Sequence, residues 1–326
     1  VQASKGWLTL IRDNGVVCEA LAPVIVSASR ATDIPAFYPE WLVRRLSRGY
    51  VKWTNPFNGV PRYVSFADTR VIVFWSKNPQ PLMSHLLRID ERGINYYVQF
   101  TVNDYEKEGL EPHVPPLARR VETFQALSER LGKKRVIWRF DPLILTDTLD
   151  VDRLTDRIAN VASKLRGYTE RLVISFADIA AYKKVRANLA RARINHREFT
   201  PEQMAAVAER LHALNREWGL KIATCAETID WGAYGIAHSR CIDDRLMIEL
   251  FPHDPALMAF LGYRPDLFAA PSRPHLKDKG QRKACGCIVS KDIGMYNTCP
   301  HLCAYCYANT SAQDRGKPAA RWGGPG

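Results

Sequence analysis

Three cysteines, Cys299, Cys303 and Cys306, stand in the stretch "NTCPHLCAYCYAN" (297–309) with the spacing C-x3-C-x2-C. Thiolates are soft ligands, so the question is which metal three of them can hold. Zinc is usually bound by paired C-x2-C elements that supply four ligands, and this spacing suits zinc only if a fourth ligand, such as His301 within the loop, joins it. An iron-sulfur cubane fits the count better. Each cysteine takes one iron corner, and the fourth iron is left open to a small molecule.

Five of the eight cysteines lie between Cys285 and Cys306. Clustered cysteines in a long chain without a secretory signature point to metal or redox chemistry rather than a disulfide scaffold. Cys285 and Cys287, in "KACGCIV", are separated by Gly286, which keeps the backbone compact enough for two thiolates to face one centre. Together with Cys225 in "TCAETID" and Cys241 in "HSRCIDD" they make four thiolates, enough for an auxiliary 4Fe-4S cluster or a tetrahedral zinc. The alternative is that Cys225 and Cys241 are ordinary buried apolar cysteines. Cys18 has no partner in this scheme.

Elements that could position these residues are legible upstream. Six short apolar runs read as strands covered on both faces: 23–30, 70–78, 95–104, 134–142, 171–178 and 220–227. Helical segments are expected at 39–48, 79–92, 115–132, 150–165 and 201–217; in the last, Thr200 can cap and Gln203 can complete a capping box. Alternating strands and helices predict an α/β fold, a partial (β/α)6 barrel of parallel strands over 1–262 with an N-terminal extension. Residues 263–326 then form a cysteine-rich segment that packs over the carboxyl ends of the strands. Each strand ends in polar residues: Ser27, Ser29, Arg30 and Asp33; Ser76, Lys77 and Asn78; Gln99, Thr101 and Asn103; Arg139 and Asp141; Ser175 and Asp178; Thr224, Cys225 and Glu227. In parallel barrels that rim binds ligands, although any single one of these residues also serves as a cap or loop hydrogen-bond partner.

No window approaches the roughly 18 uninterrupted apolar residues of a membrane helix, and the amino terminus lacks a secretory signal, so a cytoplasmic protein is expected. The net charge is +12. Part of it sits in "KKVRANLARARINHR" (183–197), which carries Lys183, Lys184, Arg186, Arg191, Arg193 and Arg197 without an acid. That segment reads either as a solvated helical face or as a nucleic-acid patch.

With "CPHLCAYC" in view, the sequence resembles the radical S-adenosylmethionine (SAM) superfamily, in which C-x3-C-x2-C, with an aromatic before its last cysteine, holds a 4Fe-4S cluster; Tyr305 takes the aromatic place. The chain, with "SASRATDIPAFY" near its start, looks like a family of uncharacterised bacterial proteins that carry this motif at the carboxy-terminal end. The loop "CPHLCAYCYA" is also similar to that of spore photoproduct lyase and its relatives, which act on DNA. In the superfamily the motif normally follows the first strand; here the loop after that strand has no cysteine, and "FWSKNP" stands where a glycine-rich SAM contact is usual. The resemblance implies TIM-barrel-like architecture and a cluster on Cys299, Cys303 and Cys306. It also implies SAM bound at the open iron and an electron donor such as ferredoxin or flavodoxin. Reductive cleavage of SAM would give methionine and a 5'-deoxyadenosyl radical. Tyr305, Arg30, Ser76, Lys77, Asn78, Gln99 and Ser175 are then expected at the cofactor, and Arg139, Asp141 and Glu227 at the substrate, for which nucleic acid is one candidate. Two rivals are a non-catalytic nucleic-acid-binding protein held by zinc or a closed cluster, and an iron-sulfur electron carrier.

Overall fold

The computed structural model describes residues 6–56, 58–263 and 276–310. The six apolar runs form strands β1 (Ile25–Ala28), β2 (Val71–Ser76), β3 (Asn95–Thr101), β4 (Val136–Leu143), β5 (Arg171–Phe176) and β6 (Lys221–Thr224). Two further strands of two residues each join them: β7 (Ala237–His238) beside β6, and β8 (Lys291–Asp292) beside β1. All neighbours run parallel, in the order β7-β6-β5-β4-β3-β2-β1-β8. The expected parallel sheet is present, with β7 and β8 at its edges. The strand from the cysteine-rich segment lies next to the first strand of the sheet.

Alternate side chains of each strand enter different cores, as the two-residue period of a strand requires. Val26, Ile72, Phe74, Tyr96, Val98, Val136, Trp138, Leu172 and Ile174 pack under the helices. Ile25, Val71, Val73, Tyr97, Ile137 and Val173 pack instead against Ile242, Leu246, Met247, Leu257 and the thiols of Cys241, Cys285 and Cys287. Burial on both faces explains why the strands read as continuous apolar runs.

The longer helices are α1 (Pro39–Arg48), α2 (Leu117–Leu131), α3 (Val151–Leu165), α4 (Lys183–Arg191) and α5 (Pro201–Trp218). Thr200 and Gln203 make the expected capping box at the start of α5. The single helix expected at 79–92 is instead two short ones, Gln80–Met83 and Leu86–Asp90, because the chain turns at Ser84 and His85. The basic segment is helical only to Arg191. Arg193 takes a left-handed conformation (φ 56°), and His196–Arg197 pairs antiparallel with Leu145–Thr146. Ahead of and around α1, the strands Trp7–Ile11, Val17–Leu21, Tyr50–Thr54 and Pro61–Ser65 form a separate four-stranded sheet. Among the described residues no helix is long and apolar enough to cross a membrane.

Candidate metal and cofactor site

The segment after β8 runs across the carboxyl ends of β1, β2 and β3. Asp292 fixes its start: its carboxylate accepts from Ser27 Oγ (2.9 Å), Ser29 Oγ (2.7 Å) and the Arg30 N–H (2.8 Å). Gly294 follows at such close range that a Cβ there would lie 1.8 Å from Ser29 Oγ and 2.6 Å from its Cβ. Only a glycine permits that approach.

The cysteine loop is then held from several sides. Tyr38 donates to the Thr298 carbonyl (2.6 Å), Asn309 Nδ2 to the Cys299 carbonyl (2.7 Å), and the Ala304 N–H to the Leu110 carbonyl (2.9 Å). Asn188 of α4 donates to the carbonyls of Cys306 and Asn309, both at 3.0 Å. His301 is only 2% exposed; its Nε2 faces Asp33 Oδ2 at 2.9 Å and its Nδ1 faces the His113 carbonyl at 3.1 Å. With both ring nitrogens engaged, His301 is a buried strut and does not point at solvent or toward a metal. Leu302, with φ 54°, makes the left-handed bend between Cys299 and Cys303.

The Cys299 thiol accepts the N–H groups of Asp33 and His301, and the Cys306 thiol accepts those of Ala308 and Asn309. Burial pushes the Cys299 thiol up to about 12 and raises Cys303 and Cys306, with Lys77 opposing the shift at the latter two. Buried thiols of this kind stay protonated until a metal replaces the proton.

Below the loop lies a charged knot. Lys77 Nζ donates to Glu111 Oε1 and to the Tyr305 hydroxyl, both at 2.8 Å, and Tyr305 in turn donates to Glu111. Asn103 Nδ2 reaches Glu111 (3.0 Å) and the Tyr305 hydroxyl (3.1 Å), and Arg120 Nη1 lies 3.5 Å from Glu111 Oε2. Burial alone would raise Glu111, but Lys77 and Arg120 outweigh it and lower the carboxyl to about 2. Asp33 ties the knot to β2 by accepting from Ser76 Oγ and the Lys77 N–H, each at 2.7 Å.

A second network runs over β3, β4 and β5. Arg139, 2% exposed, pairs with Asp141 (3.0 Å from Nε, 2.5 Å from Nη2) and donates from Nη1 to Gln99 Oε1 (3.2 Å) and Cys241 Sγ (2.9 Å). Ser175 donates to Asp141, and Gln99 Nε2 to the Cys241 carbonyl (3.0 Å). Burial works against the Asp141 charge, but Arg139 and Ser175 hold its carboxyl below the usual range. Glu227 differs: burial raises it, although it accepts the Phe176 N–H at 3.0 Å. Trp75 borders the second network, with the guanidinium carbons of Arg30 and Arg139 5.3 and 5.1 Å from its ring. Arg30 Nη2 and Trp75 Nε1 are buried donors without a partner among the described residues.

Four other thiols meet beside Arg139. Cys225 Sγ lies 3.4 Å from Cys241 Sγ, while Cys287 Sγ accepts the N–H of Cys241 (3.2 Å) and of Ile242 (3.4 Å) and bonds to Cys285. The hydrogen bond from Cys287 lowers the Cys285 thiol to about 7, whereas the bond to Cys241, with burial, raises Cys225. Among the described residues no three or more His, Cys, Asp or Glu side chains converge as ligands on one point. Cys299, Cys306 and Cys287 accept backbone N–H groups, Cys225 faces Cys241, and Cys241 also accepts from Arg139.

Most of the expected site residues therefore fall into two networks: Ser76, Lys77 and Tyr305 in one, Gln99, Arg139, Asp141 and Ser175 in the other, with Arg30 stacked on Trp75. Asn78 engages only through its N–H, to Ser76 Oγ (2.9 Å), and Glu227 stands apart at the end of β5. Glu111, Arg120, Asp292 and Trp75 join the networks without a signal in the sequence that singles them out. A cavity of about 960 Å³ lies to one side, lined by α1 and the residues around Pro81, and reaches the loop only through Phe37 and Tyr38.

The frame is thus an α/β protein built on a large parallel sheet. Residues 25–308 match the family described as "Domain of unknown function (DUF1848)", and the chain belongs to that family. No curated protein matches it. Among solved structures it is similar to a crystal structure described as a "putative alpha-L-fucosidase" from Bacteroides thetaiotaomicron, at 9% identity over 60% of this chain and 73% of that one; the TM-score of 0.24 carries no argument.

Proposed function

We propose that this protein is a radical SAM-type enzyme in which Cys299, Cys303 and Cys306 hold a 4Fe-4S cluster over the ends of a partial (β/α)6 barrel. The observation that carries the reading is the seating of the three-thiol loop. Tyr305 and His301 anchor it to Lys77, Glu111 and Asp33 at the strand ends. Strand order supports the barrel, since β1 to β6 are neighbours in sequence order.

The donor set fits such a cluster. Three thiols on one loop leave one iron open, and backbone N–H groups already point at Cys299 and Cys306, where they would stabilise thiolate charge. Cys299, Cys303 and Cys306 would hold the cluster, and the chemistry it would supply when reduced is one electron to the SAM sulfonium, cleaving a carbon-sulfur bond to methionine and a 5'-deoxyadenosyl radical. This chain's residues bind, orient and exclude water. Arg30 Nη2 and Trp75 Nε1 offer hydrogen bonds to a ligand's carboxylate or ribose, and Lys77 keeps positive charge under the cysteine loop. Ser76, Asn78, Gln99 and Ser175 line the same rim. Asp141, locked to Arg139, orients and does not exchange protons; Glu227, raised by burial, is the carboxyl placed to move one. Free thiols and an oxygen-sensitive cofactor suit a reducing cytoplasm, with a ferredoxin or flavodoxin as reductant.

Nucleic acid is the substrate class favoured by α4. Lys183, Lys184 and Arg186 project from this helix without an acidic neighbour in the segment, and Lys184 lies 5.2 Å from the ring of Tyr296. Tyr296 and Tyr182 flank Tyr307, itself 41% exposed, at 6.1 and 6.2 Å. Basic residues around exposed aromatic rings track phosphates and stack bases. Anaerobic reconstitution with iron and sulfide, then dithionite and SAM, should yield a brown protein that releases 5'-deoxyadenosine. Colourless protein with zinc on the loop would favour the binding-protein rival, and a reducible cluster that never cleaves SAM would favour an electron carrier.

A further inference from the structure

We propose that Cys225, Cys241, Cys285 and Cys287 form a tetrathiolate zinc site that clips the carboxy-terminal segment to the end of β6. This site does not rest on the cluster reading for the loop, with which it shares no cysteine.

The four thiols come from three distant stretches: the residue after β6, the residues ahead of the helix Asp244–Leu250, and the turn at 285–287. Cys225 Sγ lies against Cys241 Sγ, and Cys287 Sγ sits on the N–H groups of Cys241 and Ile242, a gathering of thiols that burial alone does not require and a metal site does. The 3.4 Å between Cys225 Sγ and Cys241 Sγ is far beyond a disulfide bond of about 2.05 Å. It is near the sulfur-sulfur edge of about 3.8 Å set by zinc-sulfur bonds of about 2.3 Å in a tetrahedron. A cubane would spread its cysteine sulfurs more widely, so the contact favours a single ion.

Charge and backbone agree with that assignment. Four thiolates around one divalent ion carry two net negative charges, and two guanidinium groups sit beside them: Arg139 Nη1 donates to Cys241 Sγ at 2.9 Å, and Arg30 lies close enough to feel Cys287 and Cys241. The N–H groups of Cys241 and Ile242 already point at Cys287 Sγ, and that of Cys287 at Cys285. Gly286 suits the tight Cys-x-Cys turn, since a Cβ there would stand 3.0 Å from Arg240 Cγ. Without metal each S–H turns to the next sulfur, so the thiols run as a chain. Zinc held by Cys225, Cys241, Cys285 and Cys287 would replace the four thiol protons, with no change of oxidation state.

The test uses the full chain and zinc(II) alone. Metal analysis of the protein, and of a Cys299→Ala/Cys303→Ala/Cys306→Ala variant, should find one zinc ion per chain in both. A Cys285→Ser/Cys287→Ser variant should lose it, lower the melting temperature and become sensitive to protease within 276–291. If that variant fails to fold, cobalt(II) substitution in the triple-alanine protein decides: tetrahedral bands with thiolate charge-transfer intensity for four sulfurs support the site. Absence of zinc from the triple variant would overturn it, as would zinc retained after the double substitution. Iron with sulfide at these residues, or a Cys225–Cys241 disulfide in the isolated protein, would overturn it equally.

Discussion

The two cysteine groups are built on opposite plans. Cys299, Cys303 and Cys306 belong to one short loop in which Cys299 and Cys306 accept backbone N–H groups, and they face the charged knot of Lys77, Tyr305 and Glu111. Cys225, Cys241, Cys285 and Cys287 come from three stretches, touch one another, and pack into an apolar core under Arg139. Protein metal centres divide in the same way. Closed four-ligand sites hold structure, and sites that lack a protein ligand keep a position for chemistry. On the two proposals above, one segment would carry parts of both, and the zinc clip would set where the cluster loop lies.

The comparison breaks most sharply at Cys303. Cys303→Ala should abolish the visible colour of reconstituted protein and 5'-deoxyadenosine release while leaving zinc content unchanged, as anaerobic spectra, product chromatography and metal analysis will show. If zinc falls as well, the two groups are not independent.

Next in size is Glu111→Gln. It leaves Lys77 and Arg120 buried without their shared anion, and removing one member of such a group costs about 3–5 kcal/mol. Urea denaturation should read that cost, and SAM cleavage should fall with it. Gly294→Ala forces Ser29 and the strap apart, with an expected cost of about 1–3 kcal/mol. Iron uptake by the loop should drop in this variant while the zinc site, anchored on the other side of β8, keeps its metal.

A Lys183→Glu/Lys184→Glu/Arg186→Glu variant probes the loop's surroundings. Its affinity for single-stranded DNA should fall, and the slope of log affinity against log salt should flatten by about 0.7 for each phosphate no longer neutralised. Unchanged binding in an anisotropy titration would remove nucleic acid as the substrate class. The smallest effect is expected at Lys291 on β8, whose burial lowers its ammonium to about 8 from an ordinary value of about 10.4. The unfolded chain binds the extra proton between those values, so stability rises with pH through that window and the cost of charging Lys291 is full below it. Lys291→Met should therefore flatten the rise in urea midpoint between about pH 8 and pH 10.

The six long strands are legible in the sequence because burial on both faces writes each as an apolar run such as "VIVFW", and the capping of α5 is legible because Thr200 and Gln203 are local partners. β7 and β8 are not, since two residues show no period and their pairing is decided by distant chain. At the site, the cysteines announce themselves by type and spacing, and Lys77, Arg139 and Asp141 by their place at strand ends. Glu111 sits in the loop "EKEGLEPHVPP", where nothing separates it from its acidic neighbours until Lys77 and Arg120 close on it. His301 lies inside the motif and reads as an available ligand, yet Asp33 and the His113 carbonyl engage both of its nitrogens.

The pairing of β8 with β1 also bears on biosynthesis. The amino-terminal half of the sheet emerges from the ribosome long before Lys291 and Asp292, and domains commonly begin folding as they emerge. Until those last residues arrive, β1 offers an unsatisfied edge, and Ser27, Ser29 and the Arg30 N–H wait for the Asp292 carboxylate. A chain truncated before residue 291 would therefore leave the ribosome with an open strand edge and without the carboxylate that Ser27, Ser29 and Arg30 share.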